Sequence, residues 1–215
     1  PLALLFPAGD MSILQRLYRD SPGAQRANLS LARAVRAAAD AMPGDRPLRI
    51  LEIGAGTGGS TDAVLAALGE RGADYMFTDQ SDHFLAAART RFADKPLATR
   101  RLDIELPPAD QGFDPGSFDL VIAANVLHAT RNLGETLAHC RTLVAPGGTL
   151  VLLETTSASW PMELTFGLTD GWSRFRDRSL RAEEPLLAAP DWLTLLHKSG
   201  FAGAQALPCD SHGQQ

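Results

Sequence analysis

Cysteine is scarce in this sequence. Cys140 and Cys209 are the two thiols, far apart and outside any CxxC spacing, which excludes a disulfide-stapled scaffold and a four-cysteine zinc site. Both read as ordinary thiols of a reducing compartment. Positive charge is also in deficit: 20 Lys and Arg against 25 Asp and Glu give a net charge of -5, so no broad basic surface is offered to nucleic acid. Long apolar runs are missing. The longest, such as Phe118 to Leu127, carries Asp119 and Asn125 and falls short of the roughly 20 residues that span a bilayer. No basic leader or cleavage site precedes the first elements, the start at Pro1 without Met reads as an internal cut, and a cytoplasmic location is expected. His, Cys and acidic residues form no cluster at ligand spacing, so no metal is expected. What is present is 45% hydrophobic and 21% charged residues over 215 positions, with Gly and Pro near average usage. These figures exclude disordered, collagen-like and coiled-coil classes and leave one globular core.

Apolar periodicity alternates between strand and helix, the pattern of an α/β domain with a mainly parallel sheet. Helices are predicted over Ile13 to Tyr18, ended by Ser21-Pro22-Gly23, and over Ala27 to Met42, ended by Pro43-Gly44. Strands are predicted over Leu48 to Ile53, Asp74 to Thr78, Ala98 to Leu102, Phe118 to Ala123, Thr149 to Glu154 and Ala204 to Leu207. Between them fall helices over Gly59 to Leu68, Asp82 to Phe92, Asn132 to Leu143, ended by Ala145-Pro146-Gly147-Gly148, and Pro190 to Lys198. Residues 155 to 189 break the rhythm with Trp160, Phe166, Trp172 and Phe175.

The first strand runs into Gly54-Ala55-Gly56-Thr57-Gly58-Gly59, a turn that brings main-chain N–H groups close to a ligand at a helix N-terminus. Gly54, Gly56 and Gly59 satisfy GxGxxG, a dinucleotide fingerprint that is weak alone. Glu52, two residues earlier, suits a cationic amino acid group better than a pyrophosphate. Asp79, ending the second strand, can accept both hydroxyls of a ribose, or it can merely cap the next helix. A nucleoside bearing a cationic side chain fits both acids.

LEIGAGTGG, Asp79, Leu102-Asp103-Ile104 and APGGTLVLLE together resemble the class I S-adenosylmethionine-dependent methyltransferases, with their Rossmann-like fold of a mostly parallel sheet between helical layers. That resemblance implies Gly54 and Gly56 beside the methionine portion of the donor, Asp79 at its ribose, and Asp103 and Ile104 flanking its adenine, with Glu52, Ala55, Gln80 and Asn125 also in the donor site.

His128 follows the fourth strand, and Glu154 ends the next, so both fall at the carboxyl edge of the sheet where open α/β folds bind ligands. A carboxylate beside an imidazole fixes its tautomer and makes a general base. The alternative is a packed His128 and a solvated Glu154. Asn125, just upstream, can orient a carbonyl or the donor, and Tyr18 or Trp172 can wall the pocket. His83, His139, His197 and His212 lack such a setting.

Longer stretches, among them LLFPAGDMSILQRLYRDSPGAQ, FTDQSDHFLAAARTRF, ANVLHATRNL and LTFGLTDGWSRFRD, are similar to the methyltransferase domains of modular polyketide synthases, over nearly the whole chain. The resemblance implies that His128 and Glu154 are a catalytic dyad. It also implies a substrate carried as a thioester on the phosphopantetheine arm of an acyl carrier protein, with neighbouring synthase domains as partners. Methylation at the α-carbon of a β-ketoacyl thioester is expected, with O-methylation of a β-hydroxyl as the alternative. An inactive structural domain and a nicotinamide oxidoreductase are the readings from outside that class. Residues 1–45 are expected to be the remnant of a helical lid, and 46–215 the donor-binding core with a substrate-covering insertion at about 155–189. A last antiparallel strand is expected to be missing. The excised domain is expected to be monomeric.

Overall fold

Ser21-Pro22 starts a helix rather than ending one. The computed structural model describes residues 19–157 and 170–207, and in it helix α1 spans Pro22–Asp40. Ser21 is its N-cap, its hydroxyl accepting from the Ala24 N–H at 3.2 Å, and Pro22 supplies the fixed φ that suits a first helical position. The helix thus begins five residues before the predicted Ala27, because a proline after a capping serine starts a helix as readily as it follows one. The expected helix over Ile13 to Tyr18, Tyr18 as a pocket wall, Trp160 and Phe166 lie outside the described residues. Buried Leu31, Ala32, Val35 and Ala39 form one stripe of α1 and pack on helix α2 (Gly59–Leu68) through Val64 and Leu68.

Strands β1 (Leu48–Ile53), β2 (Ala73–Asp79), β3 (Leu97–Arg101), β4 (Phe118–Ala124) and β5 (Val144–Leu153) make a parallel sheet in the order β3-β2-β1-β4-β5. Helices α3 (Asp82–Arg91), α4 (Leu133–Leu143), the single turn α5 (Asp170–Ser173) and α6 (Ala189–Lys198) complete the order. Alternation divides the core between the two faces. Ile50, Leu120 and Ile122 join the α1 and α2 side, whereas Leu51, Ile53, Val121 and Ala123 join Leu137, Cys140 and Trp192 on the α4 and α6 side. Each of the buried Val, Leu and Ile side chains contributes about 1.5–3 kcal/mol by leaving water. Burial pushes the Cys140 thiol up to about 12, which keeps it neutral in that core.

Two strand predictions change. β5 begins at Val144, directly after α4, so Ala145-Pro146-Gly147-Gly148 lies inside the strand as a bulge where pairing passes from Phe118–Val144 to Leu120–Thr149. Gly148 is needed there, since an added Cβ would stand 2.7 Å from the Asp119 carbonyl oxygen. Residues 204–207 are not a strand: Leu207 is exposed, and no register connects this segment to the sheet. Among the described residues the sheet has no antiparallel closing strand, as expected. No helix among them is long and apolar enough to cross a membrane.

The strand order reverses between β1 and β4. Their carboxyl ends therefore diverge into helices on opposite sides and leave a crevice above the sheet.

Candidate active site

That crevice is a cavity of about 440 Å³, within the size range of small-molecule sites. Gly54, Ala55, Gly56, Asp79, Gln80, Asp103, Ile104 and Asn125 all line it, so eight of the residues singled out from sequence share one space. Gly54 has φ 58°, and a Cβ there would stand 2.7 Å from a Val126 methyl carbon, so the loop after β1 seats directly against the loop after β4.

Asp79 ends β2 with one carboxylate oxygen accepting the Gly56 N–H at 3.0 Å and the other the Ser81 N–H at 2.8 Å. Each oxygen retains a lone pair for a further donor, which suits a vicinal diol. Burial holds the Asp79 carboxyl above its ordinary value, and these N–H groups work against that rise.

Glu52 is placed differently from the sequence expectation. It is fully buried behind the glycine loop and does not line the cavity. Its carboxylate accepts hydrogen bonds from Ser60 at 2.5 Å, Thr61 at 2.6 Å and Tyr75 at 2.6 Å, joining β1, β2 and the first turn of α2. Burial raises the Glu52 carboxyl despite these donors and, with the nearby Glu52 charge, raises the Tyr75 hydroxyl well above its ordinary value.

The far wall holds residues that sequence reasoning passed over. Ala24, Ala27 and Asn28 bring α1 to the cavity, Phe84 adds an aromatic face from α3, and Glu105 and Arg174 close a side. Glu105 accepts from the Arg131 N–H at 2.5 Å and pairs with Arg174 at 2.7 Å. The Ser21-Pro22 start signal was the legible pointer to the α1 contribution.

Beyond β4 the chain turns at Asn125, which takes φ 53°, then enters a 3-10 turn over Leu127–Ala129. Glu154 follows β5, and one of its oxygens accepts the Val126 and Leu127 N–H groups at 3.1 and 2.8 Å. The other lies 2.6 Å from His128 Nδ1. A carboxylate so placed keeps the proton on Nδ1 and leaves Nε2 with a free lone pair. Both side chains are largely buried, and the Trp172 ring meets the imidazole edge-on at 6.4 Å. His128 does not itself line the cavity, but Val126, Ala129 and Thr130 around it do. Asn125 Oδ1 accepts the Thr155 N–H and hydroxyl, each at 3.0 Å, which turns its amide NH₂ away from Thr155, and among the described residues that NH₂ meets no acceptor.

A donor consisting of a nucleoside with an amino acid tail fits this arrangement. Asp79 with its remaining lone pairs, the apolar Ile104 and Phe84, and the glycine loop all line one cavity. A family model described as "Methyltransferase domain" matches residues 51–150. The chain is 44% identical over 207 residues to the "Reducing polyketide synthase grgA" of Penicillium sp, covering 95% of this chain and 8% of that one. It is likewise 44% identical over 220 residues to the "Polyketide synthase ThaG" of Burkholderia thailandensis, covering 99% of this chain and 4% of that one. Among solved structures it superposes on the CurJ carbon methyltransferase with a TM-score of 0.88 at 43% identity, over 93% of this chain and 54% of the other. The trans-methyltransferase CalH in complex with SAH gives 0.78 at 34% identity over the same shares. The chain therefore spans a small part of those synthases and about half of those structures.

Proposed function

This chain belongs to the class I S-adenosylmethionine-dependent methyltransferases of polyketide synthase type, and we propose that it methylates the α-carbon of a β-ketoacyl thioester presented by an acyl carrier protein. The observation that carries the proposal is the Glu154 carboxylate, held by two main-chain N–H groups and placed 2.6 Å from His128 Nδ1, which makes His128 Nε2 the base beside the donor cavity. An α-carbon between a ketone and a thioester is acidic enough for an imidazole. His128 Nε2 takes its proton, the C–H electron pair passes to the α-carbon and ketone oxygen, and Glu154 stabilises the imidazolium until the proton leaves to water. Asp79 and Gln80 would hold the ribose of S-adenosylmethionine, Asp103 and Ile104 its adenine, and the Gly54–Gly56 loop its methionine end; the donor would supply an electrophilic sulfonium methyl, the electron pair of the broken C–S bond staying on the sulfur of S-adenosylhomocysteine. Asn125 NH₂ orients the ketone oxygen or the donor.

Helix α1 lining the cavity supports a covering role for residues 1–45, with the segment of about 155–189 covering the substrate from the Trp172 side. Similarity to the CurJ and DszA carbon methyltransferases favours carbon over oxygen as acceptor. Neighbouring synthase domains would be the domain's immediate partners.

The test offers β-ketoacyl and β-hydroxyacyl pantetheine thioesters and locates the added methyl by mass fragmentation. Carbon methylation of the first is expected, and His128→Ala should lose about 10²–10⁴-fold in rate while binding the donor normally. Methyl found on the β-oxygen of the second compound, or full activity of His128→Ala, would overturn the reading.

A further inference from the structure

Outside the dyad, Arg181 is a buried charge with a hydrogen-bond partner for every donor. Its side chain is fully buried, with the Phe175 ring 5.3 Å from the guanidinium. All five of its N–H donors are committed. Nε donates to Asp177 Oδ1 at 2.8 Å. One terminal nitrogen donates to the His128 carbonyl at 2.7 Å and the Pro185 carbonyl at 3.3 Å, and the other to the Thr130 and Arg131 carbonyls at 2.9 and 3.3 Å. Three of the five acceptors therefore belong to the segment that carries the dyad histidine. Asp177 adds a second grip: its other oxygen accepts the Leu133 N–H at 2.9 Å, at the start of α4.

A three-residue 3-10 turn has little internal hydrogen bonding to hold it, and its outward carbonyls need donors from elsewhere. The planar guanidinium meets the His128 carbonyl of the turn and the Thr130 and Arg131 carbonyls just after it in one fixed geometry, which a lysine ammonium cannot reproduce. Glu154 fixes the imidazole from the Nδ1 side, and Arg181 fixes the main chain from which that imidazole hangs.

We propose that Arg181, braced by Asp177, is a positioning residue that sets the geometry of the His128–Glu154 pair by holding the carbonyls of His128, Thr130 and Arg131. The inference rests on His128 acting as the base. It assigns a role in the reaction to residues 177–181, which lie outside the donor cavity.

The test measures donor affinity by calorimetry, and kcat and KM with the preferred pantetheine thioester, for the full chain carrying Arg181→Lys, His128→Ala or both. Arg181→Lys should keep donor affinity and KM within about threefold while kcat falls about 10–100-fold, and it should slow His128→Ala no further. A parental kcat in Arg181→Lys beside an inactive His128→Ala overturns this inference alone. An equal Arg181→Lys loss in the His128→Ala background also overturns it, because the effect then does not pass through the histidine. A parental rate in His128→Ala removes the base reading and this inference with it. Should Arg181→Lys not fold, Asp177→Asn decides instead: it keeps the arginine but loosens both grips, a fall in kcat at constant donor affinity supports the inference, and a parental kcat overturns it.

Discussion

Asp79 and Glu52 are two buried carboxylates at the ends of neighbouring strands, and what separates them is which donors they meet. Glu52 spends its acceptors on three hydroxyls of the protein, whereas Asp79 meets two main-chain N–H groups and keeps lone pairs facing the cavity. Asp79→Asn should therefore weaken donor binding by about 1.5–3 kcal/mol, the range for hydrogen bonds to a charged group, and Glu52→Gln should lower the melting temperature with donor affinity nearly unchanged. Calorimetry on both variants checks this, and a donor-binding loss confined to Glu52→Gln would return that residue to the direct contact expected from its place before the glycine turn. The pH dependence has a definite sign. Ionised Asp79 is the better acceptor for a diol, and burial raises its carboxyl, so donor affinity should fall with acidification, starting at a higher pH than for an ordinary aspartate. The Asp79→Asn titration should lack that step.

At the scale of elements, α1 joins the core to the cavity: Leu31 and Val35 anchor it to the sheet layer, while Ala24, Ala27 and Asn28 in its first two turns line the donor site. The part nearest the ligand is thus the part that depends on the cap. Ser21→Ala should cost about 1 kcal/mol, fray that first turn, and weaken donor binding several-fold. Faster amide exchange at residues 24–28, together with the calorimetric titration, reads the effect, and unchanged affinity would show that α1 is held by its anchors alone. The strand-turn-helix units were legible because each short apolar run is closed by Gly, Asp, Asn or Glu, and the pairing of His128 with Glu154 was legible because they follow consecutive strands. Less legible were features decided by contacts distant in sequence. Ser21-Pro22 reads as start or stop according to which helix it serves, and Gly147-Gly148 looks like a break until pairing with β4 makes it a bulge. The role of Arg181 gave no signal beyond its i,i+4 pairing with Asp177, since three of its five acceptors are main-chain carbonyls about fifty residues earlier, which no side-chain pattern encodes.

Across the whole molecule the two ends of the sheet do different work. The carboxyl ends of all five strands carry the site, and near the amino end of β4 Asp119 is clamped by Arg46 at 2.6 Å and Arg49 at 2.7 Å, with the Arg49 N–H at 3.0 Å. This clamp ties the segment after α1 to β1 and β4 without touching the cavity. Hydrogen bonds from Arg46 foremost, then Arg49, hold the Asp119 carboxyl well below the usual carboxylate range against the opposing effect of burial. A depressed carboxyl stabilises the fold fully above its ordinary value of 3.8 and loses that contribution as pH falls through its folded value. Glu52 and Asp79, both raised, act with the opposite sign: their contributions are largest in acid and fade as pH rises through their folded values. Comparison with Asp119→Asn isolates the clamp from them. At neutral pH that variant should be about 1.5–3 kcal/mol less stable in urea unfolding, and the gap should narrow only below pH 3.8. Because the clamp sits away from the donor, kcat and donor affinity of the folded variant should match the parent. A change in either would mean that the amino end of the sheet communicates with the site, and that stability and catalysis are not separable along the strands.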